Sequence, residues 1–297
     1  MIKILCLADL HLTERKPPCR LDNEDWIDTI SRKIDFVAET SRNQSVDYIV
    51  IAGDLFDSVS GNSIAFLGQC MKWLAQLNGA CHHGVVAIAG NHDIINGSYG
   101  DIERSPYSLM ETAGLLKAPS AADFGSMLYG EKNSGATQAI LIGHYGLYLK
   151  EKPYPTAPDS GNVEWFVNNC LPKTCRLFIT GHFHKPFVVK VNDTVIVNCG
   201  SILRLRADQI DYEPYLTICT VDDEAVRPKK YPVPLACQIR RDYLDVVREQ
   251  KAELEEMVGN VDGDFEVTLN FKDNFYKLTD NLEDKDAINQ EFERCNK

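Results

Sequence analysis

No run in the sequence approaches the ~20 consecutive apolar residues that a membrane-spanning helix needs. The opening MIKILCLADLHL carries little charge and has no small-residue cleavage site, so it is expected to form a first β-strand rather than a signal peptide. Ten cysteines are present, yet none forms a CxxC pair. The closest two, Cys170 and Cys175, flank a proline. Reduced, mostly buried thiols of a cytoplasmic protein are therefore expected, with neither a disulfide framework nor a cysteine-built zinc site. Basic residues are the scarcer charge: 31 Lys and Arg stand against 43 Asp and Glu, a net charge of −12. That balance excludes a polycation that binds nucleic acid nonspecifically, but not a nuclease, whose metal ions bring their own positive charge. No internal repeat or low-complexity segment is visible.

The apolar pattern alternates strand and helix over the first two-thirds. Strands are expected at Ile2–Ala8, Tyr48–Ala52, Val85–Ala89, Gln138–Gly143 and Leu177–Thr180. Helical spacing appears at Trp26–Arg42 and Ile64–Leu77, and Ser105-Pro106 reads as an N-cap with proline in the first turn of a short helix. This order implies an α/β fold with helices covering a largely parallel sheet. From Phe187 the helices stop. Phe187–Val191 and Thr194–Asn198 flank an Asn192-Asp193 turn, and Tyr215–Val221 and Ala225–Tyr231 follow. These four are expected to form a second sheet packed on the first. A boundary is placed near Ala236, giving a main domain at 1–236 and a small α+β appendage at 237–297. Residues 242–297 hold 16 acidic against 7 basic side chains.

Five short segments carry the chemistry: Asp9-Leu10-His11, Gly53-Asp54-Leu55-Phe56-Asp57, Gly90-Asn91-His92-Asp93, Gly143-His144, and Gly181-His182-Phe183-His184. Each lies at or just past the end of an apolar strand, the edge where open α/β sheets collect ligands. Glycines before Asp54, Asn91, His144 and His182 permit tight turns and close backbone approach. In extended chain, residues i and i+2 point the same way, so Asp9 with His11, and His182 with His184, can converge on one ion. Mixed oxygen and imidazole donors suit Mn2+, Fe or Zn2+ better than Ca2+ or Mg2+. Asp54 is the natural bridging carboxylate, Asn91 offers an amide oxygen, and His92 is placed to give a proton to a leaving oxygen. Five of the seven histidines fall in these segments; His82 and His83 do not and are expected to be solvated.

The ordered set DxH, GDxxD, GNHD, GH and GHxH resembles the calcineurin-like metallophosphoesterase superfamily over roughly residues 1–235. The resemblance implies a four-layer α/β/β/α sandwich. It also implies one metal ion held by Asp9, His11, Asp54 and His184, a second held by Asp54, Asn91, His144 and His182, and His92 as the catalytic histidine. VDYIVIAGDLFD, GVVAIAGNHD, GHFHKP and NCGSILRLR are similar to the SbcD-like DNA-repair nuclease branch. That likeness implies a Mn2+-dependent exonuclease or endonuclease with DNA as substrate. The appendage would be an abbreviated capping domain, and an SbcC-type ATPase partner and a homodimer are further implications. By position, Arg15, Lys16, Arg20, Lys185, Arg204 and Arg206 are candidates for DNA phosphate contacts. Asp57 is expected to accept a hydrogen bond from a ligand, and Tyr145 and Tyr148 to be packed rather than stacked on a base. The competing reading is a small-molecule phosphodiesterase or phosphoprotein phosphatase with the same two-metal site.

Overall fold

The computed structural model describes residues 1–17, 25–95, 98–120, 124–127, 139–152, 157–205, 209 and 213–234. One compact unit spans Met1–Arg241. The appendage expected at 237–297, like Arg20 and Arg206, lies outside the described residues.

Three strands, β1 (Ile2–Leu7), β2 (Tyr48–Ala52) and β3 (Val85–Ile88), run parallel and are linked by helices α1 (Trp26–Gln44) and α2 (Ile64–Asn78). The side-chain period of two divides their apolar residues between two cores. Leu5, Leu7, Ile49, Ile51, Val85 and Ala87 face the helices, meeting Ile30, Ile34 and Val37 of α1 and Leu74 and Leu77 of α2. Burying each such side chain contributes about 1.5–3 kcal/mol. Ile4, Cys6, Val50, Val86 and Ile88 face the other way, onto a second sheet. Asp25 and Ser63 cap α1 and α2 through their side-chain oxygens. Ser105 caps α3 (Pro106–Thr112) as its sequence suggests.

The second sheet has the order β4-β5-β6-β8-β7, from Gly125–Met127, Ile140–Gly143, Leu177–Thr180, Thr194–Asn198 and Phe187–Val191 respectively. β7 alone is antiparallel, joined to β8 by the turn in which Asn192 takes a left-handed φ of 53°. Ile140, Ile142, Leu177, Ile179, Val195 and Val197 close the core between the sheets. The outer face carries α4 (Val163–Cys170), with Phe166 and Val167 on Leu141, Phe178 and Ile196. The layers are therefore α/β/β/α.

One expectation is corrected. The four late strands do not share one sheet. β9 (Tyr215–Val221) returns to pair antiparallel with β1, and β10 (Val226–Pro232) pairs with β9. The open side of β1 is a row of unpaired backbone groups, and β9 satisfies it. β10 becomes the sheet edge, blunted by Pro228, Lys229 and Lys230. Helix α4 is an element beyond those expected: Asn162 caps it, and Val163, Phe166, Val167 and Cys170 make its buried face.

Candidate metal centre

Past the ends of β1 and β2 the chain keeps its parallel pairing. Asp9 N–H donates to the Gly53 carbonyl (3.1 Å), His11 N–H to the Asp54 carbonyl (3.0 Å) and Leu12 N–H to the Leu55 carbonyl (2.8 Å). The convergence of Asp9 and His11 does not come from strand alternation. Asp9 (φ 50°), His11 (43°) and Asp54 (51°) are all left-handed, as is His182 (85°). Non-glycine residues seldom adopt this region, and here the surrounding hydrogen bonds hold them in it. Gly53 (φ 90°) sits under the His144 ring, and a Cβ there would run into Nδ1.

Backbone amides fix the carboxylates. His182 N–H donates to both oxygens of Asp9 (2.9 and 3.0 Å), and His92 N–H donates to Asp54 Oδ1 (2.9 Å). The other oxygen of Asp54 lies 3.2 Å from His144 Nε2 and 3.6 Å from His11 Nε2. His144 Nδ1 donates to the Ala52 carbonyl (2.8 Å), which aims Nε2 inward, 3.2 Å from Asn91 Oδ1. His182 Nδ1 meets the same amide oxygen at 2.9 Å, and His11 and His184 bring their Nε2 atoms to 3.0 Å. Three groups of donor atoms result, each within 4.8 Å: Asp9, His11 and His184; His11, Asp54 and His92; Asp54, His144 and His182. Buried carboxylate, imidazole and amide donors facing one another are the chemistry of a site for borderline divalent metals, so the residues present fit the group.

A family model of calcineurin-like phosphoesterases matches residues 2–186, the stretch that contains all five motifs. The chain belongs to the calcineurin-like phosphoesterase family. The family uses a dinuclear metal site, and this phosphoesterase has the candidate ligands for one. It is also similar to the DNA double-strand break repair protein Mre11 of Methanosarcina mazei, with 24% identity over 250 residues. The match covers 78% of this chain and 38% of that protein, so the chain spans well under half the relative's length. Among solved structures, a novel archaeal phosphodiesterase is 15% identical with a TM-score of 0.40, covering 77% of this chain and 99% of its own. Wild-type Vps29 of Entamoeba histolytica complexed with Zn2+ is 13% identical with a TM-score of 0.39, covering 78% and 100%.

Electrostatics in this phosphoesterase follow from burial and from who faces whom. Burial alone would raise Asp54, but the His144 hydrogen bond and charge, with His11, hold it well below the usual carboxylate range. His144 is correspondingly raised to about 9: burial lowers it, and Asp54 and Asp9 outweigh that. His182 is lowered to about 4 by burial and by the charge of His144. Burial raises Asp9, and such a carboxylate is the kind a neighbouring cation holds ionised. Burial lowers His11, but contacts with Asp57, Asp54 and Asp9 leave it raised overall. Asp57 lies 3.5 Å from His11 Nδ1 with its side chain half exposed, and its backbone carbonyl accepts from His92 Nδ1 at 2.7 Å.

Three supporting residues escaped the sequence reading. Asp93 is fully buried and accepts from the N–H groups of Leu55, Phe56 and Gly90, tying two motif loops together. Burial and the Asp54 charge raise it to about 6. Asn198 donates to the carbonyls of Phe183 and Lys185 (2.7 and 2.9 Å), bracketing His184. Gln209 touches His184 Nδ1 with its side-chain amide. Asp93 stands inside a quoted motif and Asn198 begins NCGSILRLR, so both were visible as letters; Gln209 had no signal.

Arg15 and Lys185 are exposed and Lys16 is half-buried, each close in sequence to a motif. Arg204 is corrected: it is only 8% exposed, and its Nε donates to the Gln209 carbonyl, so it holds a loop rather than facing solvent. Tyr145 packs on Phe166 and Phe178, and Tyr148 is buried with its hydroxyl on the Pro158 carbonyl. His82 and His83 are exposed. The described cysteines are free thiols, Cys170 and Cys175 included.

Proposed function

We propose that this phosphoesterase is a phosphodiesterase that cuts DNA, a nuclease of the SbcD type dependent on two divalent ions, Mn2+ foremost. The observation that carries the reaction class is the meeting of two donor groups at Asp54, with the His92 ring beside them. Similarity to the Methanosarcina mazei protein over most of this chain supports DNA as the substrate. Asp9, His11, Asp54 and His184 would hold one ion, and Asp54, Asn91, His144 and His182 the other. An SbcC-type partner and a homodimer would follow from the same likeness.

When bound, the ions supply charge stabilisation of the phosphate and an acidified water. The protein's own part is placement and proton handling. Asp9 and Asp54 are aimed by the backbone N–H groups of His182 and His92, so neither must reorganise as charge develops. His144 is oriented by the Ala52 carbonyl. His92, anchored through Nδ1 to the Asp57 carbonyl, presents Nε2 as the group that gives a proton to the leaving oxygen. The exposed Arg15 and Lys185 would meet flanking phosphates.

The test is cleavage of end-labelled duplex and single-stranded DNA in Mn2+, beside bis-p-nitrophenyl phosphate, with Asp54→Asn as the contamination control. Degradation of DNA by wild type alone is expected. Hydrolysis of the small ester with intact DNA would transfer the site to a small-molecule or phosphoprotein substrate.

A further inference from the structure

Between the two histidines of the last motif lies an aromatic residue that neither the metal groups nor the core employs. Phe183 is half-buried and belongs to none of the three apolar clusters that fill the sandwich. The apolar residues of the neighbouring motif loops behave differently: Leu10, Leu12, Leu55 and Phe56 are all essentially without exposure. The Phe183 ring lies 5.6 Å from the His182 ring, with the planes 35° apart. Gly146 lies beside it as well. A Cβ on Gly146 would come within 3.0 Å of Phe183 Cζ and 2.8 Å of His182 Cδ2, so glycine leaves room there for both rings.

The backbone beneath the ring is held from both sides. His182 N–H is fixed on Asp9, and the Phe183 and Lys185 carbonyls are fixed on Asn198. The backbone that carries the ring is therefore tied to the carboxylate and imidazole donors. A partly exposed aromatic ring next to the candidate metal centre offers a face to a planar apolar partner. In a nucleic acid, each sugar esterified to the phosphate carries a base, which is such a partner.

We propose that Phe183 is the stacking platform for the base next to the scissile phosphate, a specificity-determining contact that favours nucleotide phosphodiesters over simple ones. The inference rests on the DNA reading above. Every base has a π-face, so the contact is tolerant of sequence and selects for the presence of a base rather than its identity.

A comparison of three proteins on three oligonucleotides tests it. Wild type, Phe183→Ala and Phe183→Tyr are given oligonucleotides that are intact or carry one abasic residue on the 5′ or the 3′ side of the scissile bond, and kcat/KM is measured. Bound metal is quantified in each protein. Removing the base on one side is expected to cost wild type and Phe183→Tyr roughly 5- to 150-fold, the range that stacking of a base on an aromatic ring is worth. The same removal is expected to cost Phe183→Ala about twofold or less. Each ratio is taken within one protein, so a loss of metal or overall rate in the alanine variant cancels. Equal losses in wild type and Phe183→Ala would overturn the platform while leaving the nuclease standing. Wild type that spares every oligonucleotide but hydrolyses bis-p-nitrophenyl phosphate would overturn both.

Discussion

The backbone N–H of His182 donates to both carboxylate oxygens of Asp9, joining the first and last motifs across 173 residues of chain. Gly181 makes this possible, because a Cβ there would strike Ala8 and Asp9 Oδ2. Gly181→Ala is expected to push the two loops apart and to lower metal affinity by about tenfold or more, since it disturbs a group that orients a ligand. Titration calorimetry with Mn2+ checks it; unchanged affinity would show that the contact is dispensable.

His92 and Asp57 are expected to separate cleanly. The Asp57 carbonyl, not its carboxylate, anchors His92. His92→Ala should lower kcat by about 10²–10⁴ with metal content intact. Asp57→Ala keeps the anchor, and its carboxylate is half exposed beside His11. It should weaken metal binding modestly and leave kcat at saturating metal within about threefold. A large kcat loss there would reassign the proton-handling role.

Asp93→Ala removes the acceptor of three buried N–H groups. The expected cost is roughly 3 kcal/mol or more, a fall in Tm on the order of 6–12 °C for a domain of this size. Thermal unfolding of wild type and variant measures it.

In chelator-treated protein the His144–Asp54 contact gives a pH signature. His144 is raised to about 9, above its ordinary 6.5, so the folded state holds its proton more tightly than the unfolded chain. The stabilisation is complete below pH 6.5 and is lost as pH rises through about 9. The Tm of the metal-stripped protein should therefore fall over that window, and His144→Gln should flatten the fall. The differential slope between the two proteins is the readout.

Much of the site was legible because its residues are short-range letters at strand ends. Tyr48–Ala52, Leu177–Thr180, Phe187–Val191 and Thr194–Asn198 form as their patterns suggest. Asp9, His11, Asp54, Asn91, His92, His144, His182 and His184 do meet. Backbone φ rather than strand alternation turns Asp9 and His11 together, and left-handed aspartate and histidine have no sequence mark. The partner of β9 was illegible for a related reason: Ile218 and Cys219 would suit either sheet, and only the open side of β1 decides. Gln209 meets His184 across 25 residues of chain, and no local pattern marks that contact.

The donors are divided between the sheets. Asp9, His11, Asp54, Asn91 and His92 follow β1, β2 and β3, whereas His144, His182 and His184 follow β5 and β6. During translation the first group leaves the ribosome seconds ahead of the second, at roughly 5–20 residues per second. The groups Asp9, His11, His184 and Asp54, His144, His182 each draw donors from both halves, so packing of one sheet on the other is what completes them. The candidate metal centre is thus complete only once both sheets have docked, which ties its assembly to the last long-range step of folding.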